Sequence, residues 1–191
     1  MSELVSHIKE DILLPDARLV DDVDMFRAQR ERESPNVDTE PMAIFGRIYR
    51  IATRIAPHIE ALFGRHGLER GEYDVLATLQ RGGPPYRMSP TTLYTSLMVS
   101  SGGLTHRLKR LESRGLIRRV PSQHDGRSMM VELTDKGYNI TTIAFEEDMR
   151  LEGDWLASLS EGERKELAGL LRILNAAIPD HEKQSIDTIE G

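Results

Sequence analysis

The chain of 191 residues contains no cysteine. That absence removes disulfides, thiolate nucleophiles, cysteine-based redox sensing and every zinc site built on sulfur. Its six histidines (His7, His58, His66, His106, His124, His181) show no HExxH or other close metal-ligand spacing, so no metal and no other cofactor is expected. No stretch approaches the roughly 18 uninterrupted apolar residues that would span a bilayer. Met1 to Glu10 carries acids and lacks an apolar core with basic flanks, so it does not read as a secretory signal, and a cytoplasmic address without a membrane partner is expected. Internal repeats and low-complexity tracts are absent too. What remains has the composition of a soluble globular protein long enough to bury a core.

The net charge of -6 argues against a polyanion partner only until it is divided. Residues 1–40 hold 11 acids and 5 bases, and residues 144–191 hold 12 acids and 5 bases. Between those acidic ends, residues 101–127 hold 7 bases (Arg107, Lys109, Arg110, Arg114, Arg118, Arg119, Arg127) against the 2 acids Glu112 and Asp125. Binding a polyanion needs a local positive surface, not a positive whole.

Periodicity organises the chain into helices with one strand pair. Leu19, Val23 and Phe26 mark a short amphipathic helix ended by Ser34-Pro35-Asn36. A longer helix follows Pro41, striped by Phe45, Ile48, Ala52, Ile55, Ile59 and Leu62, with Pro57 as a candidate kink. Glu72 to Leu79 reads as a third helix, stopped at Gly82-Gly83-Pro84-Pro85. Ser89-Pro90 is a helix start, because serine at the N-cap accepts a backbone N–H and proline at the first position loses no bond. After the break Ser100-Ser101-Gly102-Gly103 comes a helix over Leu104 to Arg114, closed by Gly115. Leu116–Pro121 and Ser128–Leu133 read as strands around an Asp125-Gly126 turn. Thr134-Asp135 opens a long helix through Trp155, and the capping box Ser160-Glu161-Gly162-Glu163 opens the last one, striped by Leu167, Leu170, Leu171, Leu174 and Ile178.

Helix, short turn, helix and hairpin is the order of a winged helix-turn-helix, in which the second helix enters a major groove about 12 Å wide. Leu104, Leu108 and Leu111 form its buried stripe; Gly102, Thr105, His106, Lys109 and Ser113 form the opposite face. Small and hydroxyl-bearing residues at helix starts (Ser89, Ser101, Gly102) let the backbone approach phosphates. Lys109 suits a phosphate, Thr105 or His106 a base edge, and Arg127 at the hairpin tip a minor groove. An amphipathic helix with a solvated face and a charged edge hairpin would show the same residues. Arg107 falls beside the buried stripe and there needs a partner, for which Asp74 is a candidate, whether as a structural pair or as a switch.

The wing residues Asp125-Gly126-Arg127 followed by Leu133-Thr134 match the D-x-R-x-x-x-x-x-L-T pattern of the MarR family of regulators. Leu104 to Glu112 with Gly115-Leu116-Ile117 resembles that family's recognition helix and first strand. The resemblance implies a mainly α fold with a small two- or three-stranded β-wing. It also implies a homodimer joined through N- and C-terminal helices, a palindromic double-stranded DNA operator, and repression relieved by a small-molecule effector. The expected organisation is an N-terminal tail and extra helix over 1–36, a dimerisation helix over 37–67, a DNA-binding lobe over 68–134, C-terminal dimerisation helices over 135–178 and a disordered tail over 179–191. The sharper resemblance is to the PecS-like, urate-responsive branch, through the extra N-terminal helix, Val37 to Met42 and Glu72 to Leu79. That branch implies effector roles for Asp74, Arg107 and Arg119. Its tryptophan on the extra helix is missing: the lone tryptophan is Trp155, and Phe26 is the nearest aromatic. Phenylalanine stacks but has no N–H to donate, so the effector is expected to be an anionic aromatic, urate-like or phenolic.

Two other classes fit parts of the pattern. A winged-helix module that binds protein without specific DNA binding would have little use for Arg127 at the wing tip. An enzyme built on His124, Asp125 and Ser128 would set its groups on a hairpin tip open to water, with no oxyanion hole, so no catalytic role is expected.

Overall fold

A computed structural model describes residues 20–97, 103–122 and 128–179. The chain divides into two compact units, residues 1–70 and 71–191.

In the first unit, α1 (Asp22–Glu33) and α2 (Glu40–Arg65) are joined by a turn at Pro35-Asn36. Asp21 caps α1 by accepting from Val23 N and Asp24 N, and Asp24 returns the bond to the Asp21 backbone N–H, which satisfies otherwise orphaned donors. Few apolar residues hold α1: Val23 is buried against Gly46, but Phe26 is 46% exposed. Ion pairs supply the rest. Arg47 lies 2.7 Å from the buried Asp24 and 3.0 Å from Asp21, and Arg50 pairs with Asp22. Arg27 Nε donates to Thr39 O at 3.1 Å across the turn. α2 runs on through Pro57 as one helix.

The second unit orders its elements as α3 (Arg70–Arg81), β1 (Arg87–Met88), α4 (Pro90–Ser96), α5 (Leu104–Ser113), β2 (Ile117–Pro121), β3 (Met129–Leu133), α6 (Asp135–Trp155), a short 3-10 turn (Leu156–Ser158) and α7 (Glu161–Ala177). The three strands form an antiparallel sheet in the order β1-β3-β2. The fold is thus mainly helical with a small three-stranded wing, as expected. The second unit's buried apolar side chains come from α3 (Val75, Leu76, Leu79), α4 (Leu93), α5 (Leu104, Leu108, Leu111), Leu116 at the root of the wing, the strands (Ile117, Val131, Leu133) and α6 (Ala144). α3 is longer at both ends than periodicity suggests, α4 stops at Ser96, and the two-residue β1 has no periodic signal to announce it.

Local chemistry sets the ends of α5 and α6. Gly103 (φ 77°) precedes α5 in the left-handed region. At the other end Gly115 (φ 68°) allows a Schellman closure: Leu116 N–H bonds to Leu111 O at 3.0 Å and Gly115 N–H to Glu112 O at 2.9 Å. Thr134 Oγ1 accepts from Gly137 N at 3.1 Å and donates to Gly115 O at 2.8 Å and Leu116 O at 3.0 Å. The tyrosines Tyr86 and Tyr138 stack tilted, 5.1 Å apart. Ser160 and Glu163 form the expected capping box of α7. Among the described residues, no helix is long and apolar enough to cross a membrane.

Candidate nucleic-acid interface and effector residues

α5 presents two faces with different chemistry. Leu104, Leu108 and Leu111 are buried, whereas Thr105, His106 and Lys109 are exposed. Ser89 caps α4: its Oγ accepts from Thr92 N at 3.0 Å and lies 2.8 Å from Thr92 Oγ1. Ser101 and Gly102, and the hairpin tip with His124, Asp125 and Arg127, lie outside the described residues.

The arginines around this helix turn inward to carboxylates. Arg110 Nε lies 3.0 Å from Glu72 Oε1, and Arg114 Nη1 lies 3.8 Å from Glu72 Oε2. The Arg110 contact falls short of hydrogen-bond alignment, so it is ionic. Glu72 itself is completely buried. On the wing, Glu132 is buried in the central strand, directly opposite Arg118 on β2 and Arg87 on β1, and it pairs with both. Burial works against its charged form, but hydrogen bonds from Arg118 and Arg87 outweigh that and hold the carboxyl below its usual range. Arg119, pointing to the other face of β2, lies 3.4 Å from Glu112 at the end of α5.

These pairings correct the balance of charge read from residues 101–127. Glu72 and Glu132 lie outside that stretch yet face its arginines, so Arg110, Arg114 and Arg118 are held against acids of the fold. A signal for Glu72 was present: it shares the buried stripe of α3 with Val75, Leu76 and Leu79, where a carboxylate is out of place unless paired. Glu132 had none, because its partners depend on strand register.

Asp74 is buried on α3. Burial and the nearby Asp148 push the Tyr73 hydroxyl up to about 12, with Asp74 and Glu152 adding to the effect and Arg81 opposing it. Arg107 is half-buried, and its guanidinium lies flat on the α3 backbone: a Cβ added at Gly71 would come within 2.5 Å of Arg107 Nε. Gly71 and Asp74 are three apart, hence on one helix face. Phe26 belongs to the first unit, where it lines an apolar cavity of about 430 Å³ with Val23, Met42 and Phe45.

A three-stranded wing behind a helix with a polar outer face and a buried leucine stripe is the architecture of a winged helix-turn-helix. Residues 66–128 match the sequence profile of the MarR family. The chain is 38% identical over 143 residues to the HTH-type transcriptional regulator PecS of Dickeya dadantii, covering 75% of this chain and 86% of that protein. It therefore belongs to the MarR family. The fold is shared with Bordetella bronchiseptica BpsR, whose DNA binding is regulated by 6-hydroxynicotinic acid (TM-score 0.61, 18% identity, 71% of this chain and 94% of that one). It is shared too with a MarR mutant from E. coli complexed with operator DNA (TM-score 0.58, 23% identity, 75% and 100% covered).

Proposed function

We propose that this regulator binds a palindromic operator as a homodimer, acts as a repressor, and is released by a small anionic aromatic effector. The observation that carries the DNA reading is the sorting of α5: Thr105, His106 and Lys109 are exposed, while Arg110 and the C-cap residue Arg114 meet the buried Glu72. Thr105 and His106 read base edges, and Lys109 and the helix-start groups Ser89, Ser101 and Gly102 approach phosphates, with Arg127 in the minor groove. Exposed apolar side chains on α2 (Ile44, Ile51) and α7 (Leu170, Ile173) support a dimer through the terminal helices, since large exposed apolar patches mark interfaces.

The effector reading rests on Asp74, Arg107 and Arg119. Asp74 is buried on α3 and the Arg107 guanidinium lies over Gly71, one turn from it, so an arriving anion competes for Arg107 and draws the recognition helix with it. A ligand acts only through different affinities for the two states of the protein. Urate, phenols and aromatic acids, 6-hydroxynicotinic acid among them, form the class to screen by thermal shift.

An anisotropy titration against the DNA flanking the protein's own gene tests the reading. Specific binding that weakens steeply with salt is expected, because neutralised phosphates release counterions. Absent or salt-insensitive binding would point to a protein partner instead. In the same assay Arg107→Ala is expected to lose effector-driven release; release equal to that of the parent protein would take Arg107 out of the switch.

A further inference from the structure

We infer that Glu72 is a specificity-determining positioning residue: its buried carboxylate sets the axial register of the recognition helix by bridging Arg110 and Arg114. The inference rests on the DNA-binding reading and extends it to a residue that never touches DNA.

The leucine stripe of α5 decides which face turns inward but not how far along its axis the helix sits. Leu104, Leu108 and Leu111 recur at helical spacing, so a slip by one turn, about 5.4 Å, would still bury apolar groups. Such one-turn slips are a known way for packed helices to find a second arrangement. The carboxylate removes that degeneracy. Its two oxygens take arginines four residues apart, one in the last turn of α5 and one at its C-cap: Oε1 meets Arg110 at 3.0 Å and Oε2 meets Arg114 at 3.8 Å. A slip in either direction carries one of the two beyond reach. Burying a carboxylate is costly, and an apolar side chain would fill the site without that cost, so what the charge adds is registry. Thr105, His106 and Lys109 stand on the same helix, and their offset from the base edges depends on that registry.

The arrangement is asymmetric. Glu72 is 0% exposed, while the Arg110 and Arg114 side chains are 39% and 34% exposed. Removing the carboxylate therefore changes the surroundings of two side chains that already reach solvent.

The test compares parent protein, Glu72→Gln and the triple variant E72Q/R110Q/R114Q. Each is titrated with operator and with scrambled duplex over a salt series, and amide hydrogen exchange of Leu104–Ser113 is measured without DNA. Glu72→Gln is expected to cut the operator-to-scrambled affinity ratio by about tenfold or more and to speed exchange in α5. Its salt slope on scrambled DNA should steepen by up to roughly 2, about 0.9 for each arginine released to a phosphate. The triple variant should lose the same specificity with the parent's salt slope; if Glu72→Gln does not fold, this variant carries the test. A folded Glu72→Gln with the parent's affinity ratio and exchange rates overturns the inference. A parent protein that does not distinguish operator from scrambled DNA overturns the DNA reading instead, and exchange in α5 then decides whether Glu72 sets the register.

Discussion

Replacing Gly137 by alanine tests how tightly the long helix α6 is seated on the root of the wing. Gly137 is buried in the first turn of α6, and an added Cβ would lie 2.1 Å from Leu116 O and 2.9 Å from Leu133 Cδ1. Ordinary contact begins near 3.4 Å, so backbone must separate by about 1.3 Å. Overpacking of this kind costs about 3 kcal/mol at the upper end of its usual range. Leu116 O also accepts from Thr134 N and Thr134 Oγ1, at 3.1 and 3.0 Å. A shift of that size stretches both bonds, at about 1 kcal/mol each. Alanine returns about 1 kcal/mol through helix propensity. The net loss is about 2 kcal/mol if both bonds survive and about 4 if neither does, or roughly 4–16 °C in Tm for a chain of this length. Far-UV circular dichroism melts at matched protomer concentration, paired with urea midpoints, measure it. Gly64→Ala is the control: nothing lies within 4 Å of its added Cβ, so the same chemical change should be neutral or stabilising by up to about 1 kcal/mol. If Gly137→Ala melts within a degree of the parent protein, the close seating of α6 on Leu116 is wrong.

Other perturbations separate the roles of individual side chains. Glu132 is held below its usual 4.5, so its contribution is complete above the unfolded value and is lost as pH falls through the folded one. Glu132→Gln should therefore lower Tm at pH 7, and melts taken down to pH 3 should show the gap from the parent closing; a constant gap refutes the pairing. Lys109→Ala should weaken operator and scrambled DNA alike and reduce the salt slope by about 1, whereas Thr105→Ala should change base preference. Gly71→Ala displaces the flexible end of Arg107 rather than backbone, so stability should move by less than about 1 kcal/mol while effector-driven release is blunted. A normal effector response in that variant would show that the position of Arg107 on α3 does not matter to the switch.

Elements announced by local chemistry were legible in the sequence. Ser89, Thr134 and Ser160 cap the helices they were expected to open, and Gly115 closes α5. These signals act over four or five residues and need no tertiary information. The sorting of basic side chains was not legible to the same degree. Arg87 and Arg118 meet Glu132 across 45 and 14 residues of sequence, through a register that includes a strand of two residues. Arg118 counts toward the basic balance of residues 101–127, whereas register places it against a buried acid. Phe26 falls on the stripe with Val23, yet Val23 is buried and Phe26 is half open, because ion pairs from Arg47 and Arg50 bear much of the docking of α1. A periodic stripe reports which residues share a face, not how deeply each is buried.

The hydroxyl of Thr134 has a mechanical consequence. It caps the start of α6 and also bonds the carbonyls of Gly115 and Leu116, where α5 ends and the wing begins. Its donor and acceptor capacities are both engaged, so this junction behaves as a rivet, not a hinge. The start of α6, the end of α5 and the root of β2 then move as one part. Any displacement that reaches the start of α6 arrives at the wing at full amplitude instead of being absorbed as slack.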